Sequence, residues 1–173
     1  YQDKGRFHMQ HFGVAPAGCM DLKSFFIANA LVGNNSNEGV LEFAYQGPLL
    51  KLKNSKITFA ITGDVNFNII KQNSKIEKGK CYQTYNLEHG DELDIISTNY
   101  SVYGYLAIQG GFDIDSFWDS CSVNTRAKIG PNNGEKFNNN QKIYLNDKNH
   151  NFSNRKINYK NSKIEFIRVI KGT

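Results

Sequence analysis

The chain has 173 residues and a net charge of +5, enough length to bury a real core. No apolar run approaches the ~20 residues a helix needs to cross a bilayer. The basic residues are scattered among asparagines rather than gathered in a stripe with aromatics, which excludes a nucleic-acid interface. Cys19, Cys81 and Cys121 form no CxxC pair, and the four histidines form no HExxH motif. That pattern argues against a zinc site and a disulfide framework, and for a reducing cytoplasm.

Residues 1–20 read as loop and short strand, punctuated by Gly5, Gly13, Pro16 and Gly18. Asp21 is placed to cap a helix, and Leu22, Phe25, Phe26, Ala30 and Leu31 predict one broad apolar face at helical spacing. Gly33 fits the left-handed position that ends such a helix. The period then changes to two. Strands are predicted at Val40–Tyr45, Leu49–Leu52, Lys56–Ile61, Asn66–Lys71, Lys80–Tyr85, Glu92–Ser97, Val102–Ile108, Lys142–Leu145 and Ile164–Ile170. Short strands between Gly and Asn turns predict an antiparallel barrel or sandwich. A second short helix is expected near Ile114–Trp118, and a polar surface loop at about 146–163.

Three blocks of residues could carry chemistry. In Gln2-Asp3-x-Gly5-Arg6, an acceptor-only carboxylate and a rigid fork of donors could clamp the loop or hold a carboxylate-bearing substrate. In His11-x-Gly13 and Gly18-Cys19-Met20-Asp21, His11 is either a base near neutral pH or a structural hydrogen-bonder. Asp21 is either the helix cap or part of a site. The third block is Ala28-Asn29-x-Leu31-Val32-Gly33-Asn34 followed by Leu41-Glu42. Asn29 is read as binding buried backbone, and Glu42 as surface or as pointing into a site. Gly110-Gly111 after a strand permits a tight turn or the close approach of a ligand. There is no GxxxxGK[ST] loop and no GxSxG elbow, and no metal site is expected.

In series, these blocks resemble the 5-oxoprolinase C-subunit family, also called allophanate hydrolase subunit 2 or the biotin-dependent carboxyltransferase subdomain A/B. The match continues in order through Gly47-Pro48, Thr62-Gly63, Tyr105-Leu106-Ala107-x-x-Gly110-Gly111 and Ile129-Gly130. Phe166–Gly172 resembles the start of the family's second half. The chain departs from the pattern at Phe7-His8, where the family has Pro-Gly. It departs again at Ser120-Cys121-Ser122-Val123, where the family has Ser-Arg-Ser-Thr, and this loses donors for a carboxylate or oxyanion.

The resemblance implies a mostly β, cyclophilin-like antiparallel barrel with one clear helix. Residues 1–173 are then expected to form one carboxyltransferase-type lobe, incomplete at its start and without the family's second lobe, inactive and prone to self-association alone. It further implies a hydrolase subunit that opens 5-oxoproline to glutamate with ATP supplied through the full complex. The expected partner is of the allophanate hydrolase subunit 1 type, the substrate a small amide, with no nucleic acid and no membrane. Biotin belongs only to the related carboxyltransferase reading, in which CO₂ moves from carboxybiotin to urea. The alternative is a non-catalytic regulator that antagonises a kinase inhibitor. The expected catalytic set is Asp3, Arg6 and His11. The expected substrate contacts are Gln2, Asp21, Glu42, Gly110 and Gly111, all gathered at one end of the barrel.

Overall fold

A computed structural model describes residues 1–53, 56–146, 154–159 and 169. Its one α-helix, α1 (Leu22–Val32), starts where Asp21 Oδ1 accepts from the Ser24 N–H at 3.1 Å. It stops at Gly33, whose φ of 74° is a left-handed conformation that glycine adopts without a Cβ clash. The buried stripe of α1 is Phe25, Ala28, Asn29, Leu31 and Val32, whereas Leu22, Phe26 and Ala30 face outward. The buried face is therefore rotated from the predicted one. The small Ala28 and the amide of Asn29 are inside, because that side lies flat on a sheet.

Eight strands follow: β1 (Leu41–Ala44), β2 (Leu49–Lys51), β3 (Ile57–Thr62), β4 (Val65–Ile70), β5 (Ile76–Lys78), β6 (Thr84–Leu87), β7 (Glu92–Thr98) and β8 (Tyr103–Ile108). They form two antiparallel four-stranded sheets, ordered β1-β8-β3-β6 and β2-β7-β4-β5. The sheets do not close into the single ring expected of a barrel. Gly63-Asp64 carries the chain from β3 in the first sheet to β4 in the second.

Alternation decides the packing. Ile57, Phe59 and Ile61 of β3 and Leu106 and Ile108 of β8 join Phe67 and Ile69 of β4 and Leu93 and Ile95 of β7 in the main core. The residues between them, Ala60, Tyr105 and Ala107, pack under α1 with Phe25, Ala28, Leu31 and Val32. Strand β3 is thus buried at all six positions, as a strand covered on both faces must be.

Three predicted elements differ. No helix forms at 114–118; Phe117 instead bridges Ser120 in a tight loop, where Trp118 and Asp119 have positive φ. Lys142–Leu145 contributes only an isolated bridge, Leu145 to Phe112. The strand predicted at Lys80–Tyr85 begins later, at Thr84, because Cys81-Tyr82 make a turn with Tyr82 at φ 64°. Strand β5 has no counterpart among the predictions. Residues 160–168, most of the predicted last strand, lie outside the described residues. No helix among the described residues is long and apolar enough to cross a membrane.

Candidate functional site

The chain start lies along the edge of the first sheet. Gln2 and Val40 exchange backbone hydrogen bonds at 2.9 Å each way, which brings Asp3 beside the 120–122 segment. Asp3 is 2% exposed. Its Oδ1 accepts from Gly5 N (2.7 Å), Ser120 Oγ (2.7 Å) and Ser122 Oγ (2.6 Å), and its Oδ2 from Cys121 N (2.8 Å). Burial pushes this carboxyl upward, but the four donors outweigh it and hold Asp3 below the ordinary carboxylate range.

Arg6 is 1% exposed and donates from Nη2 to the Ser122 carbonyl at 2.5 Å. Its Nε and Nη1 are buried without a partner, as is Gln2 Oε1. The Gln2 amide nitrogen donates to Val123 O at 3.1 Å. Among the described residues the ion pairs fall elsewhere, so Asp3 and Arg6 do not pair with each other. Both are engaged by the 120–122 segment, Asp3 as acceptor and Arg6 as donor. Burial pushes the Arg6 guanidinium down, and the Asp3 charge opposes that shift.

The second cluster grows from the segment that leads into α1. Cys19 N donates to Asp3 O at 2.9 Å. Met20 N donates to Glu42 Oε2 at 2.8 Å, and Asp21 N to the Tyr105 hydroxyl at 2.7 Å. That hydroxyl in turn donates to Glu42 Oε2 at 2.9 Å. Glu42 and Tyr105 are register partners across β1 and β8, so their side chains share the face on which α1 lies. Burial lifts the Glu42 carboxyl above its ordinary range, against the pull of its donors from Met20 and Tyr105. The Tyr105 hydroxyl, itself buried, is also held well above its usual value. Asp21 spends its carboxylate on Ser24, accepting from both N and Oγ.

Gln2, Asp3, Arg6, Asp21 and Glu42 are thus linked through the 19–21 and 120–123 segments. The Gly110-Gly111 turn belongs to a separate network. Gly110 N donates to Asn34 Oδ1 at 2.9 Å, and Asn146 Nδ2 donates to Gly110 O at 3.0 Å and to Phe112 O at 3.1 Å. Asn34 follows the C-terminal end of α1, whereas Asp21 sits at its N-terminal end. His11 lies on an exposed 3₁₀ turn, its ring tilted against Phe12 with centroids 4.0 Å apart. It makes no hydrogen bond with the others. Two surface hollows lie elsewhere. One of about 510 Å³ is lined by Lys51, Lys53, Lys71 and His89, and one of about 310 Å³ by Tyr1, Asp113, Phe137 and Tyr144. Neither is lined by Asp3, Arg6 or Glu42.

Ser120, Ser122 and Tyr105 are the members that the motifs did not single out as functional. Tyr105 stands in the Tyr105-Leu106-Ala107-x-x-Gly110-Gly111 block and in the alternation of β8, and neither signal reveals its partner on β1. The cysteines are free. Burial pushes the thiols up, to about 12 at Cys19 and Cys121 and about 11 at Cys81. None is therefore a thiolate nucleophile at neutral pH. Among the described residues no group of His, Cys, Asp and Glu could hold a metal ion.

Two antiparallel sheets with one helix laid across the first, and a buried carboxylate hub at its edge, define a mostly β lobe of the cyclophilin-like class. Residues 12–173 match the carboxyltransferase domain, subdomain A and B; the chain belongs to that family. It is 31% identical over 129 residues to the C subunit of 5-oxoprolinase from Haemophilus influenzae, covering 75% of this chain and 40% of that protein. It is 32% identical over 135 residues to urea amidolyase of Lachancea kluyveri, covering 75% of this chain and 7% of that protein. The crystal structure of TTHA0988 superposes with a TM-score of 0.79 at 28% identity, covering 92% of this chain and 30% of that one. The chain therefore spans less than half the length of these relatives. The Gln2–Arg6 block lies ahead of the matched span.

Proposed function

We propose that this chain is a lobe of a hydrolase subunit in a 5-oxoprolinase-type complex, which opens a small cyclic amide with the help of partner subunits. The observation that carries the reading is the 31% identity to a protein named as the C subunit of 5-oxoprolinase. A lactam is a resonance-stabilised, poor electrophile, so its opening needs donors on the developing oxyanion and a handled proton. Arg6, whose Nε and Nη1 are buried without a partner, is the group that would meet a carboxylate or oxyanion. Asp3 positions the 120–122 segment for it. In this reading His11 acts from the exposed turn Gln10–Phe12, Asp21 and Glu42 contact substrate from the segment before α1 and from β1, and Gly110-Gly111 from the turn after β8.

ATP enters this reading through the full complex only. Among the described residues the α-helix N-terminus is filled by the carboxylate of Asp21, which would repel a phosphate there. Biotin belongs to the carboxyltransferase reading, which is supported by the likeness to urea amidolyase. The partner is expected to be a subunit of the allophanate hydrolase subunit 1 type, and the compartment the cytoplasm.

The test is ATP-dependent release of glutamate from 5-oxoproline by the full-length protein co-expressed with its partner subunits. Release that disappears when this subunit is omitted is expected. An intact complex that releases none would overturn the reading.

A further inference from the structure

Resting on that reading, we infer that Glu42 is the catalytic residue that takes the proton from the attacking water, with Tyr105 as its positioning residue. The two carboxylate oxygens of Glu42 are used unequally. Oε2 is fixed by two donors of different origin, the Met20 backbone at 2.8 Å and the Tyr105 hydroxyl at 2.9 Å. Oε1 accepts from no described residue, and Glu42 is only half-buried. One oxygen is an anchor and the other is unspent. Asp3 offers the opposite case, since both its oxygens already face protein donors. Asp3 is also 2% exposed, so a substrate proton has no approach to it, whereas Glu42 is half-buried and keeps Oε1 unengaged.

The orientation is relayed from α1. Asp21 N donates to Tyr105 Oη, which leaves the phenolic hydrogen to point at Glu42. The same residue, Asp21, caps the helix. The rotamer of Glu42 is thus tied to the start of α1 and to β8, both rigid elements of the lobe. That is the kind of support a proton-transfer group requires.

The step balances without a redox partner. An O–H bond of water breaks as Oε1–H forms, and the freed oxygen pair makes a bond to the ring carbonyl carbon. The carbonyl π pair moves onto its oxygen. Collapse breaks the ring C–N bond, and the nitrogen takes the proton back from Glu42. Burial, which lifts the Glu42 carboxyl, suits it to both halves of this exchange. The titratable side chains that act on it directly are Tyr105 from β8, by its hydrogen bond, and Cys19 from the segment before α1; Asp3 and Asp21 act on Cys19 in turn.

The experiment uses the full-length protein in its complex and follows glutamate release against pH. Glu42→Gln keeps an acceptor for Met20 and Tyr105 but cannot take a proton. It should lower kcat by about 100-fold or more while KM stays within a few-fold. Tyr105→Phe removes a donor that favours the ionised carboxylate, so the acid limb of kcat should move to higher pH, with kcat at its new optimum lowered about tenfold or less. A merely structural tyrosine would lower the melting temperature and leave that limb in place. Glu42→Gln turning over like the parent, or Tyr105→Phe with an unmoved limb, overturns the inference while the proposed function stands. A wild-type complex that releases no glutamate overturns both.

Discussion

Asp3 and Glu42 are two carboxylates of one lobe with opposite thermodynamic signs. The folded state holds Asp3 below its unfolded value of about 3.9. Its contribution to stability is therefore complete above about pH 4 and lost as pH falls through the folded value. Glu42 is raised above its unfolded value of about 4.3, so its contribution is present below that value and lost as pH rises through the folded one. A pH series of denaturation curves should separate them. Asp3→Asn should flatten the acid side, and Glu42→Gln should melt no lower than the parent at pH 8. Asp3→Ala leaves the donors of Gly5, Ser120, Cys121 and Ser122 unanswered around a buried Arg6. It should cost on the order of 1–3 kcal/mol or more; a loss under about 1 kcal/mol would show that the hub is not structural. The residue types of this hub were legible in the sequence, since Asp3 and Arg6 announce themselves in one short block. Their engagement was not. Ser120 and Ser122 lie 117 and 119 residues away, and no local pattern predicts that two serines will fill a carboxylate which an arginine stands beside.

At the scale of elements, α1 was read well at both ends and less well along its side. Asp21 and Gly33 are punctuation with a local cause, so they were visible in the sequence. The buried face depends on which turn of the helix meets β3 and β8, and Ala28 and Asn29 give no apolar signal of their own. Asn29 is fully buried because its Nδ2 donates to Glu38 O at 2.9 Å and its Oδ1 accepts from Asn34 at 3.2 Å. Strand β5 escaped prediction for a related reason. It is three residues long with only its middle position half-buried, so it carries no alternation to read. The cap itself can be measured. Asp21→Ala should lose about 1 kcal/mol in urea denaturation, while Asp21→Asn should stay within a few tenths of the parent. Equal losses for both would show that the charge of Asp21, and not its acceptor, holds the helix start.

Over the whole molecule, the edges of the two sheets are managed differently. The first sheet is extended at both sides by short irregular segments, Gln2 against Val40 beside β1 and Lys156 against Gln83 beside β6. Beyond β6, Arg155 reaches α1 and donates from Nη1 to Ala30 O at 3.0 Å. The last turn of the helix thereby receives a cation where its dipole is negative. The second sheet ends in β2 and β5, each three residues long and each carrying a lysine, Lys51 and Lys78. Short, charged edges discourage pairing with another chain. Alternating segments foretold a β-rich lobe with one helix. The division into two sheets depends on the switch at Gly63-Asp64, a turn whose sequence looks like that of any hairpin.

The close approaches made by glycine have a genetic consequence. A Cβ on Gly5 would fall 2.7 Å from Pro16 O, and one on Gly18 would fall 2.8 Å from Lys4 O. In both cases the obstacle is main chain, which no codon change elsewhere can trim. Gly39 is different, because its Cβ would meet the Cys121 sulfur at 2.6 Å and the end of Ile114 at 2.8 Å. A selection for revertants should therefore recover Gly39→Ala through a second-site change at Cys121, such as Cys121→Ala. Gly5→Ala and Gly18→Ala should return only as true revertants, and an intragenic suppressor of either would show that the chain start can move away from the main chain of Pro16 and Ala17.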